Sequence, residues 1–505
     1  MVLGVGYLLL SSVLSIHTLF QFWLWLAARR VGVGNPEVAV PAELVRITVQ
    51  LPIYNERYVA RELLDVIAHL DYPRELLEVQ VLDDSTDDTT AILADACREL
   101  AASGLAITHV RRGTREGYKA GALAYGLARA SGELVAVFDA DSRPARDFLR
   151  RTVARFADPK VAAVQTRWSH ANRDELPLTK IQGLLLDVHF AVDQAGRAAL
   201  GCFVNFNGTA GIWRVAAIAD AGGWQSDTLT EDLDLSYRAQ LRGWRIELLL
   251  GFETAAELPS DVRAFGVQQY RWMKGVSQNA VKLGPRVLAA RLPLRVKVHA
   301  LAHLLEPANF VAMTGVLVLT PFAVRAVARG VLPWWVVLNP LWAVNVVLLG
   351  VVYFAPRKER APSIRGKAGG LVLWVAFLAV SLAMSLRNTL AVLAGFLGLR
   401  SGFVRTPKRG NGPAIASGAY RVRLDALVIG DLALWLYLAG SLVAAARVGE
   451  VYLCWVPGLA FAGLTAMLVG QSRWGRFPHP QSAGRSSRTA PVADATLIDR
   501  GSPMQ

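Results

Sequence analysis

Residues 133–141 read ELVAVFDAD, a run of β-forming apolar side chains that ends in two aspartates one residue apart. Two further runs of this kind, VRITVQL (45–51) and LEVQVLD (77–83), also end in polar residues. Stretches with helical periodicity lie among them, at 57–70, 87–101 and 117–130. This alternation predicts βαβ units and a mainly parallel sheet, in which ligands bind at the carboxyl ends of the strands.

Acidic clusters recur where the predicted strands end. LPIYNE (51–56), LDDSTDDT (82–89) and DAD (139–141) each close a strand, and we expect TEDLDLS (230–236) to follow another. Carboxylates at i and i+2 can bind one Mg²⁺ or Mn²⁺ ion that also bridges the phosphate oxygens of a nucleotide. A single cluster is more often a set of helix caps or polar strand ends. Four clusters at one edge of one sheet favour a functional site.

Other motifs of common enzyme classes are missing from the sequence. Lys119 stands between two glycines in GYKAGAL (117–123), at a helix start suited to a phosphate, although a solvated lysine is the more common explanation of such a residue. The sequence has no GxxxxGK[ST] or GxGxxG pattern, so an ATPase or a nicotinamide-dependent enzyme loses its usual support. It also has no GxSxG or HExxH pattern. His170 and His189 are best explained by packing or polar networks, and the three scattered cysteines by burial.

The composition indicates a membrane protein with a large water-soluble insert. The 505 residues are 53% hydrophobic, and several stretches outside 45–290 run 18 or more residues without a charge, which excludes a disordered or disulfide-built chain. Residues 1–290 hold 31 Lys and Arg against 33 Asp and Glu, whereas 291–505 hold 23 against 7. This basic excess lies beside apolar runs. The positive-inside rule explains it better than nucleic-acid binding, and we expect no nucleic-acid partner.

The first apolar run, Val2–Ala28, is followed by two arginines. A signal peptide carries its positive charge before the apolar run, so this order is the reverse. It predicts an uncleaved transmembrane helix within residues 1–30, with its N-terminus outside the cell.

The remaining segments are predicted in order along the chain. A Gly- and Pro-rich linker occupies 31–44, and the soluble domain occupies 45–290, with its last helix at 261–282. A membrane region of about four to five helices follows at 291–472, and a disordered cytosolic tail at 473–505. The apolar runs of the membrane region are Pro307–Val324, Gly330–Pro356, Ala368–Leu386, Val451–Ser472 and a run at about 424–446 that contains Asp431.

Residues 368–399 have an unusual predicted topology. The basic segments 356–367 and 405–409 flank them, and both favour the cytosolic side of the membrane. A single crossing would put one of them on the wrong side. We therefore expect a hairpin, or a segment partly in the interface, rather than one spanning helix.

Seven motifs occur in the order LPIYNE, VLDDSTDDT, GYKAGAL, FDAD, FNGTAG, TEDLDLSYR and QQYRW. In this order they resemble the membrane-embedded family 2 glycosyltransferases. VQTRWSH (164–170) and FNGTAGIWR (206–214) resemble most the cellulose-synthase-like group that makes mannan or the glucan backbone of xyloglucan. The resemblance covers 45–290 closely and the membrane half in layout. It implies an α/β domain of the GT-A type (Rossmann-like) inserted between transmembrane α-helices, a nucleotide-sugar donor, and Mg²⁺ or Mn²⁺ as cofactor.

The resemblance also implies roles for residues of the donor site. Glu56 and Asp84 would contact the nucleoside, with Tyr54 beside the base. Asp139 and Asp141 would form the DxD motif that holds the metal on the diphosphate.

The resemblance further implies Asp232 of the TED motif as the catalytic base, and Arg271 of the QxxRW motif as a residue that closes over the nucleotide. From its position and charge, we expect Lys119 to bind the nucleotide sugar as well. Ser142 follows the DxD motif where cellulose synthases commonly have His, which argues against cellulose itself. The implied acceptor-binding residues are Thr209, Glu231, Gln268 and Trp272. Thr209 lies in the segment Asn207-Gly208-Thr209, which replaces the usual small-residue motif, and Gln268 and Trp272 belong to the QxxRW motif. Segment 401–412, with Thr406 and Lys408, resembles a gating loop.

The chemistry of these residues agrees with the implied roles. Metal and cationic side chains can neutralise a departing nucleoside diphosphate, and one carboxylate can take the proton of an acceptor hydroxyl. We expect the like charges of Glu231 and Asp234 to raise the pKa of Asp232. One base and one metal predict a single displacement with inversion, so that an α-linked donor gives a β-glycoside.

Two activities are compatible with this sequence. The first is a processive hexosyltransferase of the inner or plasma membrane, whose cytosolic domain uses UDP-glucose or GDP-mannose and exports a β-glycan through its own helices. The alternative is a glycolipid synthase, such as a β-glycosyl-diacylglycerol synthase, that adds one or two sugars to a lipid. The expected partners are a nucleotide sugar, a glycan or lipid acceptor, and membrane lipids. The complete set of acidic motifs disfavours a non-enzymatic transporter or scaffold.

Overall fold

The computed structural model describes residues 2–30, 41, 43–354, 364–399, 402 and 426–473. Several predicted segments lie wholly or mostly outside the described residues. They are the linker 31–44, the basic segments 356–367 and 405–409, the gating-loop segment 401–412 with Thr406 and Lys408, and the tail 473–505.

A seven-stranded mixed sheet forms the centre of the soluble domain. Its order is β3-β2-β1-β4-β6-β5-β7, in which β6 is antiparallel to both neighbours and all other pairs are parallel. The strands are β1 Ile47–Ile53, β2 Leu77–Asp83, β3 Ile107–Arg111, β4 Leu134–Val137, β5 Val161–His170, β6 Gly211–Arg214 and β7 Arg245–Ala256. This confirms the predicted α/β domain. The strand order reverses direction between β1 and β4, the place where open α/β sheets bind ligands.

Helices cover both faces of the sheet and form the membrane part. In the described residues they are α1 Val2–Ala28, α2 Ala60–Ala68, α3 Thr89–Ala102, α4 Tyr118–Leu127, α5 Phe148–Val153, α6 Pro177–Val188, α7 Ala195–Ala199, α8 Val215–Asp220, α9 Glu231–Leu241, α10 Val262–Ala289, α11 Leu294–Leu305, α12 Ala308–Ala328, α13 Trp334–Val337, α14 Pro340–Phe354, α15 Ile364–Ala383, α16 Ser385–Phe396, α17 Ala426–Arg447 and α18 Trp455–Arg473. A π-helical turn, His189–Gln194, joins α6 to α7.

The apolar run of β4 is explained by burial on both of its faces. Leu134 and Ala136 belong to the core that α2, α3 and α5 cover, whereas Val135 and Val137 belong to the core that α4, α8 and α9 cover. Successive strand residues point to opposite faces of a sheet, so a strand that helices cover on both faces needs apolar residues throughout.

The acidic segment TEDLDLS does not follow a strand, so this prediction was wrong. The segment begins α9 at Glu231, after a loop that comes from α8. Three carboxylates in its first turn, Glu231, Asp232 and Asp234, lie at the positive end of the helix dipole. Acidic residues at a helix start and at a strand end look alike in sequence, and here the helix dipole accounts for them.

Five helical segments of the described chain are long and apolar enough to cross a membrane: Val2–Ala28, Ala308–Ala328, Trp334–Phe354, Leu427–Arg447 and Val451–Gln471. The residues predicted as a hairpin or a partly interfacial segment form a broken helix, in which Ala368–Ala383 and Ser385–Phe396 are bent by 49° with respect to each other. This bend is far smaller than the reversal that a hairpin requires. The segment is also not one straight helix.

Helix α16 joins the membrane part to α10, the helix that carries the QxxRW motif. A Cβ atom on Gly395 would lie 2.6 Å from Ser277 Cβ and 2.7 Å from the carbonyl oxygen of Lys274, so the two helices touch through their backbones. Arg387 of α16 donates to Asp431 of α17 over 2.5 Å, and both side chains are almost fully buried. This ion pair holds α16 between α10 and α17.

We expect Arg387→Leu to destabilise the protein strongly, because it leaves the carboxylate of Asp431 buried without a counter-charge. Breaking one partner of a buried pair typically costs about 3–5 kcal/mol. The double variant Arg387→Leu/Asp431→Leu removes both charges and should regain most of that stability. Thermal unfolding of the purified variants in detergent measures both effects. A double variant as unstable as the single one would contradict the pairing argument.

Candidate functional site

A cavity of about 210 Å³ lies at the carboxyl ends of β1, β2 and β4. It is closed by the start of α9 and by one face of α10. All the predicted site residues of the described chain line it: Tyr54, Glu56, Asp84, Lys119, Asp139, Asp141, Thr209, Glu231, Asp232, Gln268, Arg271 and Trp272. Thr406 and Lys408 lie outside the described residues. Residues more than 200 positions apart in sequence are thus brought to one edge of the sheet.

One end of the cavity is formed by the loops after β1 and β2. Arg112 donates to both oxygens of Asp84, over 2.7 and 2.5 Å, which fixes the orientation of that carboxylate. The guanidinium of Arg115 lies 3.4 Å from the centre of the Tyr54 ring. An aromatic ring under a cation and a fixed carboxylate beside it form a flat polar slot of the kind that binds a nucleobase.

The DxD segment is held in place by backbone and hydroxyl groups. The amide of Asp139 donates to Thr209 Oγ1 over 2.8 Å, and that hydroxyl also pairs with Ser142 Oγ at 2.9 Å. Asp141 accepts from the amide of Glu257 at 2.8 Å. Thr209 was predicted to bind an acceptor, and the contacts of its hydroxyl are with the DxD segment.

Lys119 occupies the centre of the cavity. Its ammonium donates to Asp139 Oδ1 over 2.5 Å and to the carbonyl oxygen of Gly208 over 2.9 Å. Burial opposes its charge, but the carboxylates of Asp139 and Glu231 outweigh burial and raise the pKa of Lys119. It is therefore a permanent cation beside the DxD motif.

The residues fit a divalent metal that is shared with a diphosphate. Mg²⁺ and ions like it are commonly held by one or two carboxylates together with substrate phosphates. Asp139 and Asp141 provide two carboxylates. Asp139 Oδ1 already accepts from the ammonium of Lys119, which shows that this oxygen can bind a cation. Within the described residues no group of three or more His, Cys, Asp or Glu side chains could hold an ion alone. The remaining ligands would have to come from a bound nucleotide and water.

Asp232 faces Lys119 and the DxD motif from the first turn of α9. Its Oδ1 accepts from the amide of Leu233 at 2.8 Å, and its Oδ2 lies only 2.9 Å from where a Cβ atom on Gly208 would be. Gly208 has φ +81°, which favours glycine at this position. The segment before β6 can therefore pass directly over the carboxylate.

The pKa of Asp232 is raised to about 7, by burial first and by the charge of Glu231 second. The expected effect of Glu231 is thus present, although burial is the larger cause. Asp234 does not contribute in the way that we expected, because Arg238 and Lys282 pair with it at 2.6 and 2.8 Å. A carboxyl group with a pKa near neutrality is suited to general acid–base catalysis.

Helix α10 contributes Gln268, Arg271 and Trp272, which share one face because they are three and four positions apart. Burial lowers the pKa of Arg271, and the carboxylates of Glu231 and Asp139 offset this effect. Two cations, Lys119 and Arg271, thus lie among the carboxylates of the cavity.

Sequence reasoning missed several residues of the cavity. Arg115 was not singled out, since an arginine in a polar loop is usually solvated. Trp168 and His170 line the cavity from the end of β5, although His170 was assigned to packing. Period-2 alternation within VQTRWSH (164–170) could have found them. His189 lies 3.3 Å from Asn207 Oδ1 in a polar network.

Three comparisons relate this chain to known proteins. Residues 45–275 match the model of the glycosyltransferase-like family 2. Glucomannan 4-beta-mannosyltransferase 2 of Arabidopsis thaliana is 45% identical over 234 residues, which are 45% of this chain and 44% of that protein. Probable glucomannan 4-beta-mannosyltransferase 4 of Oryza sativa subsp. japonica is 33% identical over 419 residues, which are 79% of this chain and 74% of that protein. The chain thus spans less than half the length of the first relative.

A solved structure also has this fold. The mannosyltransferase of Pyrobaculum calidifontis, in complex with GDP-mannose and Mn²⁺, aligns with a TM-score of 0.53 and 23% identity, over 79% of this chain and 100% of that one. The likeness confirms the predicted GT-A architecture of the soluble domain.

We expect Asp232→Asn to stabilise the protein in the absence of metal and nucleotide. The carboxyl pKa rises from 3.8 to about 7 on folding, so the folded state binds more protons than the unfolded state in this window. The wild-type protein therefore loses stability as the pH rises from 4 to 7, and Asn removes this loss. Melting curves in detergent should give a variant Tm a few degrees higher at pH 8, with a smaller gap at pH 5. A gap that does not change with pH would contradict this assignment.

Proposed function

Because this chain belongs to the family 2 glycosyltransferases, with cellulose-synthase-like mannan synthases as its relatives, we propose that it is a membrane-bound inverting hexosyltransferase that extends a β-linked polysaccharide. The observation that carries this proposal is the meeting of one carboxyl group of near-neutral pKa, two cations and a DxD pair in a single cavity. Each of these groups answers one requirement of glycosyl transfer.

The first requirement is to stabilise the departing nucleoside diphosphate. Lys119 and Arg271 provide two positive charges on the same side as Asp139 and Asp141. A divalent metal on that pair would supply further charge neutralisation when bound. Tyr54 and Asp84 would hold the nucleoside in the slot beside it.

The second requirement is a base for the acceptor hydroxyl. Asp232 takes this role, because it lies opposite the DxD pair and its raised pKa makes its carboxylate a better proton acceptor than an ordinary aspartate. Gln268 and Trp272 would bind the terminal sugar of the acceptor beside Asp232. The carboxylate of Glu231 would accept hydrogen bonds from the sugar hydroxyls there. One base and one leaving group give a single displacement, so the product has inverted stereochemistry.

We propose GDP-mannose as the donor and a β-1,4-linked mannan-type glycan as the product. The names of the relatives, all glucomannan 4-beta-mannosyltransferases, support mannose over glucose.

The membrane part supports a place at the cytosolic face of the plasma or inner membrane, with export of the product. Five candidate spans flank the domain along the chain, and α10 both lines the cavity and lies against α16 of the bent helix pair. The positive-inside rule puts the basic loops, and with them the catalytic domain, in the cytosol.

A product assay tests the proposal. We expect purified protein in lipid nanodiscs, supplied with Mn²⁺ or Mg²⁺, to incorporate radiolabelled mannose from GDP-mannose into material that an endo-β-mannanase degrades. UDP-glucose in the same assay is the comparison. Label in a glucanase-sensitive polymer would change the donor and leave the synthase proposal standing. Label confined to a chloroform-soluble lipid would overturn it in favour of a glycolipid synthase.

We expect Asp232→Asn to reduce kcat by about 10²- to 10⁴-fold, because general base catalysis contributes roughly that factor. The wild-type rate should rise with pH up to about 7 as Asp232 loses its proton. Initial rates from pH 5.5 to 8.5 give both results. Asp174→Asn, which changes an exposed aspartate outside the cavity, is the matched control and should keep the wild-type profile. Full activity of the Asp232 variant would favour a different base or a non-enzymatic role.

A further inference from the structure

A second cavity, of about 170 Å³, lies between α1, the segment of the π-turn and α7, and the junction of α11 and α12. It shares no lining residue with the first cavity. Val13, Ile16 and Leu305 form its outer rim, and their side chains are exposed on the outer surface of membrane-associated helices. An apolar rim of this kind faces lipid tails.

The inner wall of this cavity is polar and incompletely paired. Gln21, Arg197 and His299 line it and are more than nine-tenths buried. Within the described chain, Gln21 Oε1, Arg197 Nη1, His299 Nε2 and Asp193 Oδ1 have no hydrogen-bond partner. Each such buried group costs about 1–3 kcal/mol, and a cluster of them indicates a polar ligand.

The charges on this wall have both signs. Asp193 and Glu306 supply two carboxyl groups, and Arg197 supplies one guanidinium. Burial and the charge of Glu306 raise the pKa of Asp193 to about 8, against the opposing effects of Arg197 and Gln21. A second cation beside the two carboxyl groups would relieve this repulsion, and an anion beside Arg197 Nη1 would satisfy that group. A zwitterion supplies both.

We propose that this cavity binds the head group of a phospholipid with a primary ammonium group. The phosphate pairs with Arg197, the ammonium lies beside Asp193 and Glu306, and the acyl chains run along the rim of Val13, Ile16 and Leu305. The apolar rim on the candidate span Val2–Ala28 favours a lipid over a soluble molecule of the same chemistry. This inference goes beyond the proposed transferase activity and does not depend on it.

The lipid site is connected to the catalytic end of the domain by hydrogen bonds. Arg197 donates to Asn205 Oδ1 at 3.2 Å, and Asn205 donates to Asn207 Oδ1, next to the glycine that covers Asp232. On the other side, His303 Nδ1 lies 2.8 Å from the hydroxyl of Tyr237 on α9. A head group on Arg197 therefore steadies the segment over the catalytic carboxylate.

The test compares nanodiscs of phosphatidylcholine alone with nanodiscs that also contain phosphatidylethanolamine or phosphatidylglycerol. The readouts are the Tm of the protein and the lipids that it retains in native mass spectrometry, neither of which needs transferase activity. We expect phosphatidylethanolamine to raise the Tm and to be retained selectively. Phosphatidylcholine has the same phosphate but no N–H donor, so equal retention of the two would overturn the proposal. Preferential retention of phosphatidylglycerol would also overturn it, in favour of an anion site.

Two variants locate the site. Asp193→Asn and Glu306→Gln each replace one carboxyl group by an amide that cannot ionise, with little change of shape, and each should lower the retention of phosphatidylethanolamine about tenfold, the effect of losing one charge-assisted hydrogen bond to the ammonium. Glu175→Gln, at an exposed glutamate outside the cavity, is the control and should retain the lipid. Wild-type retention in both cavity variants would overturn the proposal. Soluble phosphoethanolamine, added to phosphatidylcholine nanodiscs, shows whether the head group suffices; a Tm rise equal to that with the lipid would refute the role of the acyl chains.

Discussion

The crowding of carboxylates at one edge of the sheet is the constraint on which the rest of this structure depends. Asp139, Glu231 and Asp232 converge there from segments far apart in sequence, and like charges in a partly buried cavity repel one another. Lys119 and Arg271 offset the repulsion, since both interact electrostatically with all three. The balance is incomplete, because the pKa of Asp232 remains high. In the function that we propose, a metal and a diphosphate that enter together would relieve this repulsion, so the instability of the empty site would favour donor binding.

Helix α10 carries this chemistry to the membrane. On one side, a Cβ atom on its Gly275 would lie 2.6 Å from Thr230, the first residue of the TED motif, and its Asn279 donates to Thr230 Oγ1 at 2.9 Å. On the other side, the same helix lies against α16 at Gly395. One helix therefore touches the first turn of α9, the cavity and the membrane-associated helix α16. In the function that we propose, such a helix would place the end of the growing glycan next to the membrane.

The sequence predicted the part of the fold that depends on local patterns. The apolar runs before Asp83 and Asp139 form β2 and β4, because continuous burial and a polar strand end both leave a local signal. The three acidic clusters after β1, β2 and β4 meet at one cavity because parallel strands end at one edge, whereas TEDLDLS reaches the same cavity at the start of α9. The pairing of β5 with β7 and the antiparallel β6 were not predicted, because long-range pairing leaves no periodic signal. The same holds for Arg112 and Arg115, whose partners come from other loops.

Backbone strain indicates the same site independently of any motif. In the described chain, the non-glycine residues with positive φ are Asn55, Tyr118 and Ala210. Tyr118 lines the cavity, while Asn55 and Ala210 each adjoin residues that line it. Such conformations cost about 1–3 kcal/mol each and persist only where the surroundings enforce them. The conformation of Asn55 is enforced by two hydrogen bonds, because its Oδ1 accepts from the amide of Thr86 and its own amide donates to Ser85 Oγ. These bonds tie the ends of β1 and β2 together. Because all three strained residues lie at or beside one cavity, the local backbone conformation reflects the shape that the cavity requires, and not the stability of the fold alone.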